Sequence, residues 1–143
     1  MMNPPQIVID TNVFVASLRS QYGASYKLLM LLGSGKYEAN ISVPLVVEYE
    51  EVGKGLIGKT SLKSRDIDAI LDYICSVANR RKIFYLWRPF LKDPDDDMVL
   101  ELAVSGGCDV IVTYNKTDFQ GIEKFGIRTL TAKEFLKEIG ELP

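Results

Sequence analysis

Residues 93–115, DPDDDMVLELAVSGGCDVIVTYN, contain the two signals that decide the fold. The first half opens as a helix, with Asp93 as N-cap, Pro94 at N1, Asp95 at N2 and Asp96 at N3. Carboxylates there face the helix N-terminus, about +0.5 charge, and contribute ~0.3–1 kcal/mol each. The helix continues through MVLELAVS and stops at Gly106 and Gly107, after which DVIVTYN reads as a buried strand. A helix that hands over through glycines to an apolar strand is a unit of a parallel α/β sheet.

Working outward, the same alternation recurs. QIVID is a short β-branched run ending at Asp10. From Val13 to about Leu32 the apolar residues keep helical spacing, with Leu28, Leu29 and Leu32 on one face and GSG as the stop. YEANISV predicts a second strand, and Pro44 opens a helix through LVVEYEEV. GKGLIGKTSLKS is glycine-rich and basic and reads as a mobile connection. SRDIDAILDYICSVA is a capped amphipathic helix with a stripe of Ile67, Ile70, Leu71, Ile74 and Val77. KIFYLW predicts a strand, GIRTL a last strand, and TAKEFLKEIG a helix opening on the capping box Thr131–Glu134. Residues 1–143 therefore read as one three-layer α/β/α domain around a mostly parallel sheet. Ligands in such sheets gather outside the carboxyl ends of the strands, which selects Asp10 on one strand and Thr113 with Asn115 on another.

Composition narrows the chemistry. The chain has 143 residues, 47% of them apolar, which suits a single core. It contains no histidine, which removes Ser-His and Cys-His pairs and His-ligated zinc. Cys75 and Cys108 lack CxxC spacing and suit a reducing cytoplasm. No 18-residue apolar run is present, so no membrane span is expected, and MMNPPQIVID lacks the features of a secretory signal. A net charge of −2 gives no global basic field. Any catalysis falls to carboxylates.

Three acids stand out by position. Asp96 has Val99, Leu100 and Ala103 at i+3, i+4 and i+7, the apolar stripe of its helix, whereas Asp97 faces the mixed set Leu100, Glu101 and Val104. Glu48 shares a face with Leu45 and Val52, and reads either as an inward acid or as the edge of an amphipathic stripe. Asp10, followed by Thr11 and Asn12, is either an inward acid or an Asx-type helix cap. Two like charges ~4 Å apart repel by about 4 kcal/mol at an effective dielectric of ~20, so converging carboxylates need protons or a divalent ion. An all-oxygen site favours Mg2+ or Mn2+ over zinc, and such an ion can activate water against a phosphodiester.

At these residues the chain resembles the PIN-domain ribonucleases, in particular the bacterial VapC-like toxin branch of toxin–antitoxin systems. The resemblance runs from VIDTNVFVASL through SVPLVVEYEEV and DPDDDMVLELAVSGGCDVIVTYNKTDF to GIRTLTAKEFL. It implies a parallel sheet flanked by helices and an acidic pocket that binds Mg2+ or Mn2+ and cuts RNA. It implies Asp10, Glu48 and Asp96 as the first three acids, Asn12 as the residue orienting the first, and Thr113 as the hydroxyl beside the site. The fourth acid of the family falls on Asn115 here, an amide that can ligate through oxygen but adds no charge and is no base. Asp118, three residues on, either supplies the missing carboxylate or caps the following turn. The resemblance also implies a small antitoxin partner and a homodimer.

An RNA substrate approaching an acidic pocket needs cations around it. Lys54, Lys59, Lys63 and Arg65, with Arg80, Arg81 and Lys82, are candidates for phosphate contact, each also readable as ordinary solvated surface. Tyr22, Tyr26 and Tyr114 are candidates for base stacking or for packing. Two other readings compete with a nuclease. Asn115 favours a non-catalytic PIN fold that binds RNA or protein. An Asp at a strand end also suits a phosphotransfer domain, although Asp10-Thr11-Asn12 lacks the second Asp of an Asp-x-Asp motif.

Overall fold

Gln6–Ile9 forms β1, the middle strand of a five-stranded sheet in the computed structural model, which describes residues 3–83 and 89–143. In chain order the elements after β1 are α1 (Thr11–Arg19), α2 (Ala24–Met30), β2 (Glu38–Ile41), α3 (Val43–Lys54), α4 (Ser64–Val77) and β3 (Asn79–Arg80). They continue with α5 (Pro94–Ser105), β4 (Val110–Val112), β5 (Arg128–Leu130) and α6 (Ala132–Glu138), with 3-10 turns at Lys116–Phe119 and Ile122–Phe125 between β4 and β5.

The strand order is β3-β2-β1-β4-β5 and every pairing is parallel, Ile7 standing opposite Ala39 on one side and Val110 on the other. Ile7, Val8, Ile9, Val110, Ile111 and Val112 are all buried. Strands covered on both faces run apolar without alternation, which is what these β-branched runs do. Helix α5 lies over β1, β2 and β4, while α1 packs on α2 and α3, α3 on α4, and α2 on α6. The result is the three-layer α/β fold. From β1 the chain builds outward to β2 and β3, then returns to the far side of β1 for β4 and β5. That reversal opens a crevice beyond the carboxyl ends of β1 and β4.

Several local expectations change. The helical stretch expected over 13–32 is two helices, because Ser20 takes an extended conformation and Gly23 starts α2. Ser17 also turns its hydroxyl back onto the Phe14 carbonyl at 2.6 Å, a local competitor of the helical ladder. A short strand stands at Asn79–Arg80; of the strand expected at 82–87, Lys82 and Ile83 are not in a strand and residues 84–87 lie outside the described residues. The basic connection after α3 folds into turns with Leu56 buried and a bridge between Ile57 and Thr60. Its first glycine, Gly53, belongs to α3 and is a contact point. A Cβ there would stand 3.2 Å from Ile67 Cγ2 and 3.5 Å from Phe14 Cε2, so its absence lets α3 approach α4 and α1.

Candidate functional site

Asp10 sits where β1 ends and α1 begins, and its two carboxylate oxygens have different duties. Oδ1 accepts the Thr11 N–H at 2.9 Å, the helix cap. Oδ2 accepts the Thr113 hydroxyl at 2.8 Å and the Asn12 amide at 3.4 Å. Cap and inward acid are therefore both correct descriptions of one residue. Thr113 is completely buried at the end of β4, and its single O–H points at Asp10. Its lone pairs accept Asn12 Nδ2 at 3.2 Å and the Asn115 N–H at 3.0 Å, which uses the hydroxyl fully. Asn12 Oδ1 takes the Tyr114 N–H at 3.2 Å, so this side chain straps α1 to the chain leaving β4. Burial pushes the Asp10 pKa up; the bonds from Thr113 and Thr11 oppose this, and the charge of Asp118 adds to it.

Glu48 projects half-buried from α3, at the edge of the buried row Leu45, Tyr49 and Gly53. Burial raises its pKa most, Asp95 next, with smaller contributions from Asp10 and Asp93, while the Thr11 hydroxyl lowers it. The buried Thr11 hydroxyl thus lies beside Glu48 and favours its charged form. Asp96, half-buried on α5, is pushed up to about 7 by burial first and then by Asp10, Asp93, Asp118 and Asp95. Asp93 caps α5 through the Asp95 N–H at 2.8 Å. Asp93, Asp96 and Asp118 share a cleft of about 380 Å3 with Lys92, Thr117 and Gln120. Asp118 reaches it because the 3-10 turn folds back, its N–H bonding the Asn115 carbonyl at 3.0 Å. A larger concavity, about 820 Å3, lies around Asn3–Gln6, Glu38, Asp109 and Arg128 at the opposite ends of the strands. There Arg128 is already paired with Glu138, and none of the acids above takes part.

The assignment of Asp96 rather than Asp97 to the buried face is corrected. Asp97 is the buried carboxylate, accepting the N–H groups of Phe90 (3.1 Å) and Leu91 (3.0 Å), while Asp96 faces the cleft. The cause is a loop folding back over the first turn of α5, which helical spacing does not contain. Among the cations, Lys54 is tied to Asp68 (2.7 Å) and Ser64 (2.6 Å), bracing α3 against α4. Lys63 and Arg65 line an open hollow beside the turns after α3, Lys59 is exposed nearby, and Arg81 Nε is bonded to Asn40. None of these seven cations lines the acidic cleft. Tyr22 is fully exposed, Tyr26 lines an apolar groove, and the exposed Tyr114 shares a hydrogen bond with Ser25.

Sequence spacing did not single out Thr11 or Tyr49. Tyr49 is buried, stacks on Phe14 with centroids 4.6 Å apart, and donates its hydroxyl to the Ile9 carbonyl, fixing the strand end that carries Asp10. Its place four residues after Leu45 was the available signal.

The donor chemistry suits a hard divalent cation. Asp10, Glu48 and Asp96 offer carboxylate oxygens whose charged forms are all disfavoured, a condition that a cation would relieve. The buried Thr11 hydroxyl adds a further polar oxygen beside Glu48. Among the described residues, no three acids or cysteines form a ready-made cage; the acids lie within electrostatic reach of one another instead.

Comparison with known proteins agrees with this architecture. The profile of the PIN domain family matches residues 6–117. A chain of the crystal structure of VapBC2 from Rickettsia felis, bound to a DNA fragment from their promoter, shares the fold. It is 14% identical with a TM-score of 0.58, over 88% of this chain and 98% of that one. No curated protein matches the sequence. Since the family profile extends from β1 past β4 and includes every residue of the Asp10–Thr113 junction, the chain belongs to the PIN domain family.

Proposed function

We propose that the chain is an endoribonuclease that depends on Mg2+ or Mn2+ and acts as the toxin of a toxin–antitoxin pair. The observation that carries this reading is the electrostatic coupling of acids from three separate elements at the switch point of the sheet. Asp10 bears on both Glu48 and Asp96 and raises the pKa of each. Folding tolerates such repulsion where the acids serve a ligand.

Asp10, Glu48 and Asp96 would hold the ion, with Asp118 on the cleft wall. When bound, the ion neutralises these carboxylates and supplies Lewis-acid activation of water for attack at phosphorus. The protein's own residues do the rest. Thr113, Asn12 and the Thr11 N–H fix both oxygens of Asp10, so it turns little on binding. Asp96, whose pKa burial and the neighbouring acids raise to about 7 in the absence of metal, must give up its proton to take the ion, so metal binding should strengthen as pH rises through neutrality. Asn115 orders the turn through its backbone bond to Thr113.

The toxin assignment draws on the resemblance to the VapC-like branch and on structural likeness to a VapBC2 complex bound to promoter DNA. An antitoxin partner, a homodimer and a cytoplasmic setting belong to the same reading. The test is incubation of the purified chain with mixed single-stranded RNAs in Mg2+, Mn2+ or chelator. Cleavage should require metal and fall at least 100-fold in Asp96→Asn. Cleavage that persists in chelator, or is unchanged in that variant, overturns the mechanism. An amide at position 115 favours a second reading, a module that binds RNA without cutting it, and that reading predicts retained RNA and no products.

A further inference from the structure

The acidic cleft is not acidic all round. Lys92 lines it, is exposed, and makes no ion pair among the described residues. Among the described residues, two neighbouring cations are committed elsewhere: Lys116 to Glu134 at 2.5 Å, and Lys124 over the Phe90 ring at 4.3 Å. The wall carrying Lys92 is held from two sides. Asp97 of α5 accepts the Phe90 and Leu91 N–H groups. The Phe90 ring meets Phe125 edge-on at 5.2 Å and lies flush against Gly121, where a Cβ would come 3.2 Å from Phe90 Cζ. Gly121 also has φ +91°, so its backbone disfavours a side chain as well. Thr117 and Gln120 also line the cleft, both exposed and neither bonded through its side chain among the described residues.

We propose that this side of the cleft is the subsite for the nucleotide adjoining the cut phosphodiester, with Lys92 on its phosphate and Thr117 and Gln120 on its polar edges. The proposal rests on the ribonuclease reading and names residues that it leaves open. A phosphate entering beside Asp93, Asp96 and Asp118 meets repulsion of about 1 kcal/mol per charge at ~4 Å in water, and an ammonium on the same wall offsets part of it. Sites of ~300–1,000 Å3 take small molecules, so about 380 Å3 is room for one nucleotide unit. Lys92 supplies affinity without sequence choice, and the Thr117 hydroxyl and Gln120 amide supply the base preference.

The test pairs binding in Ca2+ with cleavage in Mn2+, using the full chain, a single-stranded RNA oligonucleotide and a salt series. Lys92→Ala should weaken RNA binding about tenfold and reduce the slope of log affinity against log salt by about 0.7, the loss of one single-strand phosphate contact. Lys92→Arg should restore both, and Mn2+ affinity should stay within twofold of wild type. Gln120→Ala should change the base preference beside the cut and leave the salt slope alone. Unchanged affinity and slope in Lys92→Ala, with wild type binding and cutting, overturns the subsite and spares the nuclease. Wild type that binds but does not cut overturns the nuclease reading and with it the subsite's place beside a cut, while a Lys92→Ala loss there still supports Lys92 as a phosphate contact. Wild type that binds no RNA overturns both.

Discussion

Thr113 Oγ1 lies 2.8 Å from Asp10 Oδ2, a hydrogen bond spanning 103 positions of sequence and joining the ends of the two strands at which the sheet reverses its build. The bond orients the acid and partly offsets the cost of burying it. Replacing Thr113 by Val keeps the shape and removes the hydroxyl. Divalent metal affinity should fall about 10–100-fold, as for other groups that orient a ligand. Stability should fall by about 1–3 kcal/mol, because Asn12 Nδ2 and the Asn115 N–H lose their acceptor. Thr113→Ser should recover both. Mn2+ titration and urea unfolding measure the two effects.

The raised pKa of Asp96 has a definite sign in stability. Its carboxyl goes from 3.8 in the unfolded chain to about 7 in the fold, so between those values the folded state holds a proton the unfolded state has lost. The associated stability is complete below about pH 4 and is lost as pH rises through 7. In chelator, thermal unfolding should therefore occur at lower temperature at pH 8 than at pH 5. Asp96→Asn should weaken that dependence, Asp10 and Glu48 keeping part of it, and raise the pH 8 midpoint. A variant as pH-sensitive as wild type would show that Asp96 is not the responsible group.

Asp97 and Asp93 both accept backbone N–H groups, yet only Asp97 is buried. Asp97→Ala should cost about 2–3 kcal/mol by leaving two N–H groups unpaired, whereas Asp93→Ala should cost about 1 kcal/mol, the usual worth of an N-cap. Chemical denaturation of both variants gives the comparison, and equal losses would contradict the burial difference.

How far the sequence was readable depended on whether the cause lay within a few residues of its effect. The strands at QIVI and VIV, the Pro-opened start of α3 and the Thr131–Glu134 capping box follow from neighbours, and they stand where expected. Asp10 could be selected because a strand end followed by a helix is itself a local pattern. The exchange of Asp96 for Asp97 was hidden because a loop from outside the helix covers its first turn. The break between α1 and α2 was masked by apolar spacing that continues on both sides of residues 20–23. The third strand is two residues long and is set by pairing with β2, which leaves almost no periodicity to find.

Tyr49 tests whether the floor of the site matters to its rim. Its hydroxyl binds the carbonyl just before Asp10. Tyr49→Phe keeps the stacking on Phe14 and should cost about 1–1.5 kcal/mol of stability. Metal affinity should drop several-fold as the strand end loosens. Calorimetry on folded protein separates the two losses, and an unchanged metal affinity would confine Tyr49 to the core.

The most direct measurement is Mn2+ binding by paramagnetic resonance on wild type, Asp10→Asn, Glu48→Gln and Asp96→Asn, each checked for folding by circular dichroism. The shared-site account predicts specific binding by wild type and a large loss in every one of the three folded variants. Undiminished binding in any of them, or no specific binding by wild type, would contradict the claim that acids from β1, α3 and α5 act on one ion.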